Sequence, residues 1–533
     1  MYNNYTPLQQ RQLALQEYSN TQSTYLLVCA PARSTALKAT LTDQLHRKFR
    51  LVDRLGGELT ASVDGVLLAA EDVELMSTAL MFFAKALQDG ADYAVCNAVF
   101  GFGGATALYQ SQPLQAQNRC AVVSRTLLER CRAAAHDPEN VPELLALAAQ
   151  LCTKPALIPQ ALLHYERGIC AEDAFSAHGK RAFIMSHVLD MTGAPIVLVS
   201  AVPVLRSMGY EVLVLGPSDG GSLHLFLDAG ASVITRSSCR NVSDAWGMAL
   251  CADFVIANTV VMARAVRALS GTAVPVLWWL HDAFAGYPHI AHQIPTQLGE
   301  NVRVYSVGSH AANAMHAVRP EFEIRPLIYG LPDYAAENFV RTGLGYNHGR
   351  PLFATVGSFE RRKGHDIFCK AIRLLPPEVR EKASFLFVGQ AADKEMMDSV
   401  RALTADYPEN VYYCKRLTRD EIKSLMEQCT GLVCASRDDP MPTFVTEGLI
   451  FGKPSIVSEH TGTAGLISEG RNGFVYHDDD PQQLAVLLEH AIEHPEELAS
   501  MRTECRKMYE QYYSKEAFEQ TLRAAVKDLT AKK

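Results

Sequence analysis

Two acids and one lysine are the residues of this sequence best placed to do chemistry on a phosphorylated ligand. Asp439 and Glu447 stand eight positions apart, after an apolar strand with the sequence GLVCAS. Carboxylates accept hydrogen bonds from hydroxyl groups, so the two acids can hold different parts of one polar ligand. Lys363 lies in the basic cluster of VGSFERRKGHD, which follows another apolar strand. A cationic turn there can stabilise a diphosphate as it becomes a leaving group.

A helix that begins between the two acids would supply further hydrogen-bond donors. Proline suits the first helical position, so this helix is predicted to begin near Pro442 or Thr443. The backbone N–H groups of Thr443 and Phe444 would then have no partner within the helix, and such a helix start attracts phosphate. The plainer interpretation is that Asp439 only caps the helix and that Glu447 lies on its solvated face.

The basic cluster also has two interpretations. Arg361 and Arg362 directly precede Lys363 and can assist it in binding phosphate. The alternative is a solvated, charged turn that opens a helix.

Four further candidates lie in loops that follow strands. His281 ends the segment PVLWWLHD, Gly193 begins GAPIVLVSAVPVLRS, and Gly462 and Thr463 lie in HTGTAGLIS. Glycine allows a backbone to approach a ligand closely. A single histidine is more often a packed core residue than a ligand-binding one. Its place at the end of a strand, together with the acidic and basic motifs, favours a function for His281.

These loops belong to two series of alternating strands and helices, residues 179–338 and 339–514, joined by a stretch rich in Gly and Pro. Near-continuous apolar strands, each followed by a helix, indicate parallel sheets that are covered on both faces. The sequence therefore predicts an α/β fold with two Rossmann-like, doubly wound lobes. Ligands of such sheets bind at the carboxyl ends of the strands, where all the candidate residues lie.

The segment SRDDPMPTFVTEGLIFGKPSIVSE, residues 436–459, resembles the acidic signature of family 4 glycosyltransferases, which are retaining enzymes of the GT-B fold. VGSFERRKGHD resembles the family's pyrophosphate-binding turn, and the similarity extends over about residues 180–515. The resemblance implies that residues 179–338 form the acceptor-side lobe and residues 339–514 the donor lobe. It also implies that a last helix, 515–533, packs back on the first lobe.

The resemblance implies a role for each candidate residue. Asp439 and His281 would address the donor sugar, Glu447 would bind the nucleotide ribose, and Lys363 with a neighbouring arginine would bind the diphosphate. The implied catalytic residues are His281, Asp439 and Glu447. The implied donor-binding residues are Gly193, Arg361, Arg362, Lys363, Thr443, Phe444, Glu447, Gly462 and Thr463.

Three positions depart from the family pattern. Ser358 stands where many members carry arginine, Asp439 stands where they carry glutamate, and Gly465 replaces a glutamate often found near the late glycine loop. The shorter side chain of Asp439 reduces its reach toward a sugar. These departures keep open the alternative of a non-catalytic GT-B-like partner or scaffold subunit of a glycosylation complex.

The expected function is transfer of a sugar, with retention, from a UDP- or GDP-linked donor to a glycan, lipid-linked or protein acceptor. The resemblance implies no metal ion and no cofactor, since GT-B members need no catalytic metal. A different Rossmann enzyme, such as an epimerase or dehydrogenase, is disfavoured because no Gly-x-Gly-x-x-Gly follows the early strands.

Residues 1–178 form a predicted α/β accessory domain. They faintly resemble a family 2, GT-A-type glycosyltransferase that lacks its metal-binding Asp-x-Asp, and an unrelated accessory domain is an equal alternative. Helices are predicted over residues 74–88 and 142–153, and a long Gly-rich loop over residues 101–119. A scaffolding, acceptor-binding or oligomerisation role is expected, including self-association through this domain.

Composition restricts the partners and the compartment. The net charge of -8 argues against a nucleic-acid partner. The polar start lacks the basic and apolar regions of a signal peptide, and no run reaches the roughly 18 apolar residues of a membrane span. A cytoplasmic protein is expected, with peripheral membrane association left open.

Overall fold

The computed structural model describes residues 23–29, 35–42, 44, 46–55, 62–70, 73–102, 106–110, 119–165, 179–236 and 248–531. The chain divides into two compact units, Met1–Ile256 and Ala257–Lys533. Both are built from helices and strands, which confirms the predicted α/β class. The strand pairs are a mixture of parallel and antiparallel in the first unit and parallel in the second. The three-domain division with limits near 178 and 338 stays a prediction.

The first unit alternates short strands and helices. Its strands are β1 (Leu26–Cys29), β2 (Phe49–Val52), β3 (Gly65–Ala69), β4 (Glu74–Leu75), β5 (Tyr93–Phe102), β6 (Thr106–Gln110), β7 (Cys120–Ser124), β8 (Pro155–Tyr165), β9 (Lys180–Met185), β10 (Tyr210–Gly216) and β11 (Ser232–Arg236). Its helices are α1 (Thr35–Leu41), α2 (Ala79–Gln88), α3 (Arg125–Ala134), α4 (Val141–Leu151), α5 (Gly193–Ser207) and α6 (Leu223–Asp228). Strand β12 (Phe254–Asn258) runs from this unit into the second.

One sheet passes through the first unit in the order β9-β10-β11-β6-β5-β7-β3-β1-β2. Alternate residues of β1 enter different cores, since Leu26 and Val28 belong to one buried cluster and Leu27 and Cys29 to another. Side chains alternate between the faces of a strand, so both faces of this sheet are covered.

Strand β6 joins the N-terminal region to the first Rossmann strands. It pairs antiparallel with β5 on one side and with β11 on the other, where Thr106 lies opposite Arg236. The prediction of a loop over residues 101–119 is therefore wrong at β6. Residues 103–105 and 111–118 of that segment lie outside the described ones.

The predicted helix over residues 74–88 begins later than expected. Glu74–Leu75 forms β4, which pairs with His164 and Leu163 of β8, and helix α2 starts at Ala79. Pairing with a distant strand overrides the helical pattern here, a tertiary effect that local propensity does not include. The predicted helix over residues 142–153 is confirmed within two residues by α4.

The second unit contains the remaining elements. Its strands are β13 (Val276–Leu280), β14 (Val302–Ser306), β15 (Ile324–Pro326), β16 (Leu352–Val356), β17 (Ser384–Val388), β18 (Val411–Cys414), β19 (Gly431–Cys434), β20 (Ser455–Ser458) and β21 (Gly473–Tyr476). Its helices are α7 (Ala263–Leu269), α8 (Ser309–His316), α9 (His365–Leu374), α10 (Pro377–Arg380), α11 (Lys394–Asp406), α12 (Arg419–Gln428), α13 (Thr443–Ile450), α14 (Pro481–Glu493), α15 (Pro495–Ser500), α16 (Arg502–Met508) and α17 (Lys515–Thr530).

Two groups of parallel strands organise the second unit. Strands β13, β14 and β15 are adjacent and parallel, and a separate six-stranded sheet has the order β18-β17-β16-β19-β20-β21 with every pair parallel. Strands β16 and β19 are central neighbours, so the loops that follow them emerge side by side at one edge of the sheet. Those two loops carry Lys363 and Asp439.

The last helix, α17, lies on β13 and its neighbours. Phe518 stacks on Trp279 with ring centroids 5.8 Å apart, and Asp528 accepts a hydrogen bond from Arg325 at 2.8 Å. The indole Nε1 of Trp279 donates to the carbonyl of Leu327 at 2.9 Å. The end of the chain thus covers the buried tryptophan of β13. Across the described ranges, no helix is both long and apolar enough to cross a membrane.

Candidate functional site

Lys363 and Asp439 form the centre of the candidate site. The Nζ atom of Lys363 lies 2.5 Å from Oδ2 of Asp439, and the two side chains are 18% and 5% exposed. Lys363 ends a 3₁₀ turn, Arg361–Lys363, after β16, while Asp439 follows β19. Parallel pairing of those strands therefore brings together two residues that are 76 positions apart.

The start of helix α13 lies next to Asp439. The helix begins at Thr443, as predicted, and Pro442 offers no side-chain cap. The N–H of Val445 is the first to bond backward, to Pro442 at 3.0 Å. In the part of the chain that the structure describes, the N–H groups of Thr443 and Phe444 have no acceptor. Two backbone donors at a helix start, near a lysine, form an arrangement suited to phosphate.

Glu447 is held inside the same helix by one cation. It is 7% exposed, and its Oε1 accepts a hydrogen bond from Arg419 at 2.6 Å. Burial raises the pKa of Glu447, and Arg419 opposes that rise. The solvated-face interpretation of Glu447 is therefore wrong, because the carboxylate is buried and paired.

The basic turn uses its three cations differently. Arg361 is exposed, whereas Arg362 donates to the backbone carbonyl of Asp438 at 3.2 Å and to Glu360 at 2.9 Å. Only Lys363 contacts a predicted site carboxylate. Gly364 ends the turn with φ of 65°, and a Cβ atom there would lie 1.8 Å from the carbonyl oxygen of Ala435. This position accordingly requires glycine.

Arg437 ties the two loops together, which the motif analysis missed. Its guanidinium binds both carboxylate oxygens of Asp366 at 2.8 Å, and it also donates to the carbonyl of Arg361 at 2.9 Å. Bidentate arginine–carboxylate pairs fix geometry as well as charge. The neighbouring His365 packs against Phe359, and burial lowers its pKa to about 3, so it is a neutral packing residue.

Asp438 forms a second feature that the motif analysis missed. Its Oδ1 accepts from the Phe284 N–H at 3.0 Å and from His310 Nε2 at 2.7 Å, and its Oδ2 accepts from the Ala285 N–H at 2.9 Å. Burial by itself would raise the pKa of Asp438, but these three bonds outweigh it and hold the pKa below its usual range. The loop after β19 is thereby fastened to the segment after β13 and to helix α8.

The late glycine loop packs against the Asp439 segment. The Gly462 N–H donates to the Asp439 carbonyl at 2.9 Å, and a Cβ atom on Gly462 would lie 1.7 Å from the carbonyl oxygen of Pro440. Thr463 is fully buried, with its hydroxyl 3.2 Å from that of Thr461. Gly462 is therefore brought beside Asp439, while the Thr463 side chain is turned into the protein.

His281 lies at the end of β13, with its ring 4.6 Å from that of Trp279. The next residue, Asp282, accepts a hydrogen bond from the Val260 N–H at 2.6 Å. That bond stabilises a turn in which Thr259 has φ of 72°, an unusual conformation for a β-branched residue. Burial raises the pKa of Asp282 to about 6.

We expect Asp282 to make the stability of the second unit depend on pH. A carboxyl whose pKa is raised on folding stabilises the fold at low pH, and that contribution is lost as pH rises through the folded-state pKa of about 6. Asp282→Asn should therefore raise the free energy of unfolding by only about 1 kcal/mol near pH 4.5 and by up to about 3 kcal/mol above pH 7, with a corresponding rise in the thermal midpoint.

The measurement is differential scanning fluorimetry of wild type and Asp282→Asn between pH 4.5 and 8. Glu381→Gln, at an exposed position of the same unit, is the control and should show no such trend. A difference between wild type and Asp282→Asn that does not change with pH would contradict the assignment.

Gly193 lies in the first unit as the opening residue of α5. It is exposed, and a Cβ atom there would meet nothing within 4 Å. The preceding Thr192 makes no side-chain cap, so the helix start is not blocked by its own chain. The role of Gly193 in donor binding stays a prediction.

Asp438 and Asp439 are adjacent acids, a pair that could suggest a metal site. Among the residues that the structure describes, no three His, Cys, Asp or Glu side chains converge as ligands would. Asp438 is bonded to backbone N–H groups and a histidine, and Asp439 is paired with lysine. Independence from metal stays a prediction.

Two family profiles match this chain, one in each of the two predicted lobes. The profile described as glycosyl-transferase family 4 matches residues 178–321, and that of glycosyl transferases group 1 matches residues 337–508. Each matched region therefore resembles a glycosyltransferase domain. The group 1 domain contains Lys363, Asp439 and Glu447, and the family 4 domain contains Gly193 and His281.

Two curated relatives match part of this chain. Spore coat protein SA of Bacillus subtilis is 28% identical over 160 residues, which cover 28% of this chain and 41% of that protein. Glycogen synthase of Edwardsiella ictaluri is 25% identical over 159 residues, which cover 28% of this chain and 32% of that protein. The chain thus spans less than half the length of these relatives.

Solved structures share the glycosyltransferase fold. Anabaena HepE in complex with UDP is 18% identical, with a TM-score of 0.54 over 66% of this chain and 100% of that one. Sucrose-phosphate synthase from Thermosynechococcus elongatus is 16% identical, with a TM-score of 0.54 over 66% of this chain and 99% of that one. At such low identity the similarity concerns the fold.

Proposed function

We propose that this glycosyltransferase moves a sugar from a nucleoside diphosphate donor to an acceptor, with retention of anomeric configuration and without a metal ion. One observation carries the proposal. Lys363 and Asp439 touch at 2.5 Å beside the uncapped start of the helix that contains Glu447. A cation, two free backbone donors and two carboxylates are thus gathered within one loop cluster.

The chemistry follows from the charges of these groups. In the donor complex, Lys363 and the N–H groups of Thr443 and Phe444 bind the diphosphate and stabilise the charge that develops as it leaves. Glu447 accepts hydrogen bonds from the ribose hydroxyls. Asp439 accepts from the sugar hydroxyls, which requires Lys363 to move from Oδ2 of Asp439 to the phosphate.

Positioning, rather than a covalent step, explains transfer in this arrangement. The acceptor attacks from the face that the diphosphate vacates, so the configuration is retained. His281, at the end of β13, addresses the sugar from the other lobe. Holding the two reactants in the right geometry supplies a large part of the rate enhancement in such a reaction.

A uridine nucleotide is the first donor to test. Solved structures of HepE contain UDP or UDP-glucose and have the same fold. The partial match to a glycogen synthase favours a glycan as the acceptor, with lipid-linked or protein acceptors as the other candidates. The proposed compartment is the cytoplasm, with peripheral membrane association as a further proposal.

The experiment is a thermal-shift series with UDP-glucose, UDP-galactose and GDP-mannose. A donor at about 100 times its Kd stabilises the folded chain by about 2.7 kcal/mol, so the midpoint should rise for the cognate donor. NMR of the transfer product would report its anomeric configuration, and EDTA would test metal dependence. Stabilisation by no nucleotide sugar would contradict the proposal and favour a non-catalytic partner subunit.

For residues 1–178 we propose a reduced family 2, GT-A-like domain with a scaffolding or acceptor-binding role. Three parallel strands in the order β2-β1-β3, with helices on both faces, support it as a remnant of a nucleotide-binding half. Self-association through this region is a further proposal, which light scattering of the full chain would test.

A further inference from the structure

The side chain of Arg419 stabilises the ionised form of Glu447. Its Oε1 is bonded to Arg419 at 2.6 Å, which leaves Oε2 to accept from a ligand. A carboxylate that is 7% exposed is costly to ionise without a cation beside it. Truncation of Arg419 would remove the cation that opposes the rise in the pKa of Glu447, so burial would favour the neutral acid.

Arg419 is itself fixed by an aromatic ring. Its guanidinium carbon lies 4.2 Å from the centroid of Tyr334, a distance typical of a cation–π contact. The arginine is half-exposed, at 49%, so its other side remains open to solvent and ligand. Arg419 opens helix α12, so both its backbone and its side chain have a defined position.

The segment that carries Tyr334 is anchored on both sides. Asp333 forms an ion pair with Arg506, and Glu337 accepts from Lys423 at 2.7 Å. This segment was predicted only as a linker between the lobes. Its contacts instead hold the segment in place, and the Tyr334 ring of this segment packs on the guanidinium that pairs with Glu447.

We infer that Arg419 is a positioning residue of the donor site, which keeps Glu447 ionised and oriented so that its free oxygen accepts from the ribose hydroxyls. The inference deepens the proposed function and rests on it. Nothing in the motif that contains Glu447 points to Arg419, which lies 28 positions earlier on a different helix.

The titratable groups around Glu447 favour a clear pH readout. In the described part of the chain, the titratable groups that interact with Glu447 are Arg419, Tyr334 and Tyr329, and Tyr329 also interacts with Asp439. Burial raises the pKa of both tyrosines, so both stay neutral up to pH 9. Once Arg419 is removed, Glu447 is the group in this set whose ionisation moves to higher pH.

The test is calorimetric binding of UDP-glucose between pH 6 and 9, where the diphosphate diester of the ligand keeps its charge. Wild type should bind with nearly constant affinity. Arg419→Ala should bind about 10-fold to 100-fold more weakly at pH 6.5 and recover part of that loss by pH 9, as Glu447 ionises. Arg419→Lys should restore most of the affinity at every pH.

Two further variants separate positioning from a structural role. Glu447→Gln should weaken binding equally at all pH values, and Arg419→Ala added to Glu447→Gln should weaken it no further. The double variant also removes the unpaired buried acid, so it stays testable if Arg419→Ala alone is unstable. Arg401→Ala, on the exposed side of α11, is the matched control for loss of an arginine.

The outcomes distinguish a failure of the role of Arg419 from a failure of the proposed donor site. A loss in Arg419→Ala that is the same at every pH, or no loss at all, would overturn the inference while the donor site stands. Failure of the wild type to bind UDP-glucose or GDP-mannose would overturn the proposed function and, with it, this role of Arg419.

Discussion

Lys363→Ala is expected to lower kcat/KM for the nucleotide sugar by about 10²-fold to 10³-fold, the usual effect of removing one donor from the charge that develops in a transition state. Lys363 is the one member of its basic cluster that contacts a predicted site carboxylate, at 2.5 Å from Asp439. Arg362 is occupied by Glu360 and the Asp438 carbonyl, so it cannot replace the lysine without breaking other bonds.

The Lys363→Ala experiment must distinguish a loss of catalysis from a loss of folding stability. Asp439 is 5% exposed, and removing Lys363 leaves its carboxylate without the neighbouring cation, which is destabilising by itself. The double variant Lys363→Ala with Asp439→Asn removes that charge, so it should melt closer to wild type and remain as inactive as Lys363→Ala. Lys394→Ala, an exposed lysine at the start of helix α11, is the control. Full activity of a folded Lys363→Ala would contradict the site.

Asp438→Ala is expected to increase hydrogen exchange of the Phe284 and Ala285 amides by about 10-fold to 100-fold, because each loses a charge-assisted hydrogen bond. Their acceptors are the two oxygens of the 13% exposed Asp438 carboxylate. We also expect kcat to fall, since this contact fastens the loop after β19 to the segment after β13, and both loops belong to the candidate site.

Exchange measured by mass spectrometry on peptides that span residues 281–290 would report this directly and does not require a substrate. Glu459→Gln is a suitable control, since Glu459 accepts bonds only from His477 and Asp478 in the described structure. Asp438→Asn keeps one acceptor oxygen and should have a smaller effect. Unchanged protection of residues 284 and 285 in Asp438→Ala would show that the contact does not persist in solution.

Local sequence was sufficient for the fold class and for the core of the candidate site. Near-continuous apolar strands that alternate with amphipathic helices indicate parallel sheets covered on both faces, so the α/β class could be read from them. A helix start near Pro442 or Thr443 was predicted because proline suits the first helical position, and the helix begins at Thr443. Lys363 and Asp439 could be placed together because both follow strands of one parallel sheet.

Other parts of the site have no local signature. Asp438 contacts Phe284, which is 154 positions earlier. Arg419, the first residue of helix α12, contacts Glu447 on helix α13. Each looks in sequence like an ordinary surface charge. Their partners are backbone N–H groups or residues on another element, and neither can be recognised without the chain path.

The sequence by itself determined the alternation of strands and helices and the acidic and basic residues at the strand ends, since these follow from residue type and short-range spacing. Only the tertiary structure decided which acid pairs with which cation, and that β6 joins the N-terminal sheet to β11. Strands pair through backbone hydrogen bonds, which every residue except proline can donate and accept. Such long-range choices are set by chain topology and leave no pattern in the sequence.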